Sequence, residues 1–219
     1  MKKIGKYLRE ISVVVIGVAI TLSASYWITN SKEKRDMALY LNTIMLELEA
    51  NKNILDKTIE QLQSSVKYAD YLRSHDKKSL DPDIIKAYSC YYYDATPIII
   101  KTNAFDMFKT SGNMRFVDNK ELLLSIWDAY SVLVELSQQF EMFTQIKIEE
   151  IKKESQLFSL PNIYSLSAEE ILKNVPMYNY YVNINASQSL LQSSEKASMK
   201  ISETMAKLRE ETVIKLENQ

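Results

Sequence analysis

Glycine is nearly missing from this chain. Three glycines (Gly5, Gly17, Gly112) and four prolines (Pro82, Pro97, Pro161, Pro176) serve 219 residues, and only Gly112 lies beyond the apolar N-terminal segment. Hairpin-rich β folds call for positive-φ residues at their tight turns. The scarcity therefore excludes a turn-dense sandwich or barrel and favours long helices with few connections. A single cysteine, Cys90, cannot form an internal disulfide; it reads as a small buried hydrophobe beside Tyr91 and leaves the redox compartment open. The one histidine, His75, sits in the polar stretch Arg73-Ser74-His75-Asp76-Lys77-Lys78 and reads as a loop residue. Zinc sites draw on several His or Cys ligands, and histidine-dependent nucleophile–base sets have only His75 to use. Gly112 stands too isolated to form a phosphate cradle. No cofactor, metal or catalytic residue is expected, and an enzyme is not the leading reading.

A dominant charge is lacking as well. Residues 1–30 carry Lys2, Lys3, Lys6 and Arg9 against Glu10, a net of +3, which leaves 23 basic and 27 acidic side chains, a net of −4, on residues 31–219. A mildly acidic body with interleaved charges has no footprint for nucleic acid. The adjacent carboxylates Glu149-Glu150 and Glu169-Glu170 point to different helix faces and read as solvated.

What is present begins with residues 11–29, ISVVVIGVAITLSASYWIT, which hold no charge. Nineteen helical residues rise about 28 Å, close to the hydrocarbon thickness of a bilayer. Tyr7 and Tyr26-Trp27 suit the two interfaces. The expected partition is a basic cytoplasmic tail (1–10), a transmembrane anchor (11–29) and a helical extramembrane domain (30–219). A cleaved signal peptide is the competing reading, with Ser23-Ala24-Ser25 as its small-residue site. The basic tail favours an inside N-terminus over Lys32, Lys34 and Arg35 by one side chain. That places the protein in the inner (cytoplasmic) membrane as a single-pass chain with its body in the periplasm. So short a tail has no room for an output module, so an autonomous receptor is not expected. Gly17, Thr21 and Ser25 fall four residues apart on one face of the span, with Ala24 beside them. Small residues so spaced allow close helix approach, and a homo-oligomer through the span is one expected partnership besides the lipid bilayer.

Past the span, Leu41, Leu48, Leu55 and Leu62 recur every seven positions, with Met45, Ile59 and Val66 at the companion position and Lys52 interrupting it. Such a pattern serves an intermolecular coiled coil. Ile44 and Ile54 widen the stripe, which suits packing inside a bundle. Asn30 and Glu33 have the spacing to cap a separate helix; the alternative is one helix running straight out of the membrane. Asp81-Pro82 opens a short helix to about Tyr92. The run Tyr91 to Ile100 breaks period and is expected to cross the bundle in extended form. Its tyrosines read either as a binding face or as packing over a bundle end. A helix from Asn103 to Thr110 should close at Gly112, the residue suited to left-handed φ. Asp118 and Glu121 have capping-box spacing before a long helix over 119–157. After Pro161 a short helix is capped by Ser167 and Glu170, and a last helix covers about 177–217.

Two stretches carry a family resemblance. The first runs from Leu8-Arg9-Glu10-Ile11 through Val14-Val15-Ile16-Gly17-Val18-Ala19-Ile20 to Trp27, then to Glu47-Leu48 and Asn51. The second is Phe105-Asp106-Met107-Phe108-Lys109-Thr110-Ser111-Gly112-Asn113-Met114, followed by Asp118-Asn119-Lys120-Glu121-Leu122 and Tyr130. Together they resemble an uncharacterised family of bacterial single-span membrane proteins with a helical extramembrane domain. The resemblance covers about 60 residues. It implies an anchor and a helical fold, and it brings no activity or ligand. The expectation is an all-α protein, an N-terminal transmembrane helix followed by an antiparallel helical bundle. Its expected role is that of a structural or protein-interaction subunit of the bacterial envelope, with an unidentified protein partner. A ligand-sensing bundle acting with a partner is the runner-up.

Overall fold

The computed structural model describes residues 2–88, 97–158 and 187–217, together with position 179. Among them every regular element is helical: α1 (Lys2–Ser74), α2 (Pro82–Tyr88), α3 (Asn103–Thr110), α4 (Lys120–Phe158) and α5 (Gln188–Glu217), with single 3-10 turns at Lys77–Ser79 and Asn113–Phe116. The all-α expectation holds.

α1 is one uninterrupted helix of 73 residues, about 110 Å long. Asn30 and Glu33 therefore cap nothing, and the alternative of a helix passing straight out of the apolar segment is the one observed. Every side chain from Ile11 to Thr29 is exposed. The body's core begins at Met37 and takes in Leu41, Ile44, Leu48, Leu55 and Leu62. The heptad leucines thus close a core inside this chain.

Three long helices and one irregular segment fill the four corners of the bundle. α5 runs antiparallel to α1, since Ser198 Oγ donates to Asp56 (3.0 Å) while Gln63 donates to Glu195 (3.3 Å). It is also antiparallel to α4. The pairs Asn119–Glu211 (3.2 Å), Ser125–Thr204 (2.8 Å) and Asp128–Lys200 (3.1 Å) fix that register. α1 and α4 are in consequence parallel, on opposite corners. The fourth corner holds the return leg, in which residues 97–102 have no regular secondary structure and α3 leads back beside Tyr40, whose ring lies 6.1 Å from that of Phe108. Lys52, the interruption in the heptad, lies at the α1–α5 boundary. Its Nζ bonds Asp56 (2.7 Å), and that bond holds the Asp56 carboxyl below the usual carboxylate range.

Local signals explain the ends. The Asp81 carboxylate accepts from the Asp83 N–H (2.9 Å) ahead of α2, as the Asp-Pro pair implies. α2 ends at Tyr88, and the continuation to Tyr92, with Cys90 and Tyr91 to Tyr93, lies outside the described residues. Gly112 has φ 72°, the left-handed conformation that an L side chain adopts only under strain. Two boundaries differ from expectation. The cap of α4 is Asn119, whose side chain accepts from the Leu122 N–H (3.0 Å); Asp118 lies one residue too early to reach it. α5 begins at Gln188 with Ser187 as its cap (Ser187 Oγ to Leu190 N–H, 3.1 Å), so Ser187 stands outside the helix expected from about 177. The short helix after Pro161, with Ser167 and Glu169-Glu170, lies outside the described residues.

Candidate functional site

Where α1, the return leg and α4 meet, one carboxylate joins all three. Glu47 accepts at Oε2 from the Ala104 N–H (2.9 Å) and at Oε1 from the Phe105 N–H (3.4 Å). These are first-turn donors of α3, which its own N-cap residue Thr102 does not bond; the Thr102 hydroxyl instead donates to Asp106 (3.0 Å). A helix N-terminus carries unpaired N–H groups and a partial positive charge, so a carboxylate supplied by a neighbouring helix serves as its cap. Glu47 Oε1 also accepts from the Tyr130 hydroxyl of α4 (2.7 Å).

One turn further along α1, Asn51 is fully buried and grips the backbone of Lys101 from both sides. Its Oδ1 accepts from the Lys101 N–H (2.9 Å) and its Nδ2 donates to the Lys101 carbonyl (2.8 Å). The irregular leg thereby finds backbone hydrogen-bond partners that regular structure does not supply there. Above the clasp, Phe105 lies flat on Tyr130 (ring centroids 4.3 Å apart, planes 4° apart) and meets Trp127 edge-on at 5.0 Å. Lys109 Nζ, paired with Asp106 (2.7 Å), sits 4.8 Å from the Phe105 ring centroid. Phe105 and Tyr130 are buried, whereas Trp127 is 43% exposed.

Burial, and then the negative charge of Glu47, hold the Tyr130 hydroxyl well above the usual phenol range. In the unfolded chain this tyrosine ionises near 10.0, while in the folded chain it stays neutral. Its contribution to stability is therefore complete below about pH 10 and is lost as the pH climbs beyond it. Tyr130→Phe should remove this part of the alkaline loss, measured as the difference in unfolding midpoint between pH 9 and pH 11 by circular dichroism.

The trio singled out in the span behaves differently. Gly17, Thr21 and Ser25 are all exposed; the Thr21 hydroxyl donates to the Gly17 carbonyl (2.9 Å), and a Cβ at Gly17 would meet nothing within 4 Å. Eighteen residues, or about five turns, separate Thr21 from Leu39 and likewise Ile28 from Leu46. The small-residue face of the span therefore continues into two leucines that the bundle leaves 65% and 58% exposed. His75 is an exposed residue just past α1, its ring tilted against that of Tyr71 with centroids 4.4 Å apart.

Chemically the clasp binds its own elements. The Glu47 oxygens accept from α3 and Tyr130, and the Tyr130 hydroxyl donates to Glu47. Among the described residues no group of three or more His, Cys, Asp or Glu could hold a metal. An open groove of about 380 Å³ between α4 and α5 is lined by Asp128, Ser131, Lys196, Lys200 and Glu203. A second feature faces outward. Leu124, Trp127, Val134, Met142 and Ile146 form an exposed apolar stripe on the side of α4 opposite its core residues Ile126, Leu133 and Phe140. Comparison with known protein families, curated proteins and solved structures finds no match for this chain. Among the described residues the fold is all-α, and its N-terminal helix is long and apolar enough to cross a membrane, or to serve as a signal sequence.

Proposed function

We propose that this chain is a membrane-anchored structural or interaction subunit of the bacterial cell envelope, single-pass in the inner membrane with its bundle in the periplasm. The observation that carries this reading is α1. Its apolar quarter, residues 11–29, is exposed throughout, and the same helix continues unbroken as the first wall of the core. A retained anchor built this way holds the bundle at a fixed height and direction. A signal sequence meant for removal gains nothing from that continuity. The basic tail supports the orientation, and the resemblance noted above supports the bacterial setting.

Among the described residues, two exposed apolar surfaces suit partners: the Gly17–Thr21 face with Leu39 and Leu46, and the apolar stripe on α4. The first suits a second copy in the same bilayer, where parallel chains present the same face at the same depth. The second carries tryptophan and methionine, residue types enriched where proteins meet. A photo-crosslinking residue at Thr21 should capture a second copy in native membranes, and the adduct should disappear with Gly17→Ile. The same residue at Val134 should capture a different protein. Absence of any adduct from both positions, with a small molecule co-purifying, would instead favour the ligand-sensing reading.

A further inference from the structure

We infer that the membrane-facing end of the bundle rests on anionic phospholipid headgroups through Arg115 of the turn after α3, acting with Lys32, Lys34 and Arg35 of α1. The inference rests on the anchored reading of α1 and adds a lipid contact to it.

The helix sets the geometry. If the hydrocarbon ends near Thr29, the headgroup layer occupies roughly the next 6 Å, about four residues of helix. Lys32 then stands in that layer, with Lys34 and Arg35 about 7.5 and 9 Å past Thr29, just beyond its outer edge and within side-chain reach of it; all three are exposed. Acidic Glu33 and Asp36 are half-buried beside the first core residue, Met37, while the cations remain open. The return leg brings a fourth cation to this end. α3 passes Glu47 at Ala104 and Tyr40 at Phe108, so it runs toward the span, and the left-handed Gly112 turns the chain there. Arg115 follows, exposed and stacked on the half-buried Phe116 (4.5 Å to the ring centroid). The acidic groups at this end are Asp118 and Glu121, both exposed, and Glu211, which accepts from Asn119 (3.2 Å), while Lys120 is turned back onto the Val117 carbonyl (2.7 Å).

The turn packs against α1. At a helix-packing distance of about 10 Å from the α1 axis, and with no hinge in α1, an ordinary span tilt of about 20° toward the return leg lowers it by about 3 Å toward the headgroups. Tilt in that direction gains a cation–headgroup contact, and tilt in the opposite direction loses it. Each cation near an anionic surface shifts such an equilibrium by about fivefold, and salt weakens the effect.

The test uses the full chain with Cys90→Ala and Asn113→Cys, the new thiol carrying a fluorophore, in lipid nanodiscs of phosphatidylcholine with and without phosphatidylglycerol. The discs contain a headgroup-linked quencher. Stronger quenching with phosphatidylglycerol, reversed by high salt and by Arg115→Glu, is the expected result. A second label at Ser79→Cys, at the far end of α1, should not respond. The salt arm uses the unsubstituted surface, so it decides the matter even if Arg115→Glu misfolds. Equal quenching in both lipids overturns the headgroup contact and leaves the anchor standing. A chain that does not enter the discs overturns the anchor and this inference together.

Discussion

Phe105→Ala is expected to lower the unfolding free energy of the bundle by about 3–5 kcal/mol, measured by denaturant unfolding of the full chain in micelles. The ring is buried and lies flat on Tyr130, with Trp127 at its edge. Removing it opens a cavity between α3 and α4 and also ends two aromatic contacts, each worth about 0.5–1.5 kcal/mol beyond its area. The loss also loosens α3, whose N-terminal N–H groups are held on α1 by Glu47. Trp127→Ala provides the comparison: its ring is partly solvated, so its stability loss should be clearly smaller. A Phe105→Ala loss below about 1 kcal/mol would mean that the aromatic stack is not part of the core.

Leu48→Ala should cost a comparable amount, about 2–5 kcal/mol. Leu48 has no exposed surface and lies in the core cluster together with Ile126 and Ile201 of the other two long helices. Leu46→Ala, two residues away on the opposite side of α1, should change stability by no more than about 0.5 kcal/mol. The pair separates two uses of one helix. If the heptad leucines formed an intermolecular coiled coil, the effect of Leu48→Ala would fade on dilution to monomer. With an internal core it is independent of concentration.

The sequence showed these long-period features well because they are local. Nineteen uncharged residues, leucines every seventh position and one glycine after a short amphipathic run each carry their meaning within a few turns of chain. The ends of elements were less legible. Asn119 and Asp118 are both good caps, and the choice between them depends on the angle at which Val117, fully buried, enters the core. The clasp was not legible as a site, since Glu47 meets Tyr130 across 83 residues and Asn51 meets Lys101 across 50. One signal was available. Asn51 falls on the buried stripe of Leu41, Ile44, Leu48 and Leu55, where an amide survives only with its own hydrogen-bond partners. The two stretches quoted for the resemblance contain Glu47 and Asn51, and Phe105 and Tyr130, but nothing in them links one stretch to the other; the contacts between them are seen only in the structure.

The most direct measurement of the account is the distance between spin labels at Ile28→Cys and Leu46→Cys, with Cys90→Ala, on the full chain in lipid nanodiscs. Both positions are exposed, so labelling disturbs no packing within the chain, and discs loaded with one copy each exclude distances between copies. A helix that leaves the bilayer unbroken and becomes the first wall of the bundle predicts one narrow distance near 27 Å between the backbone positions. A broad or clearly shorter distribution would place a hinge between the span and the body and contradict the rigid anchor.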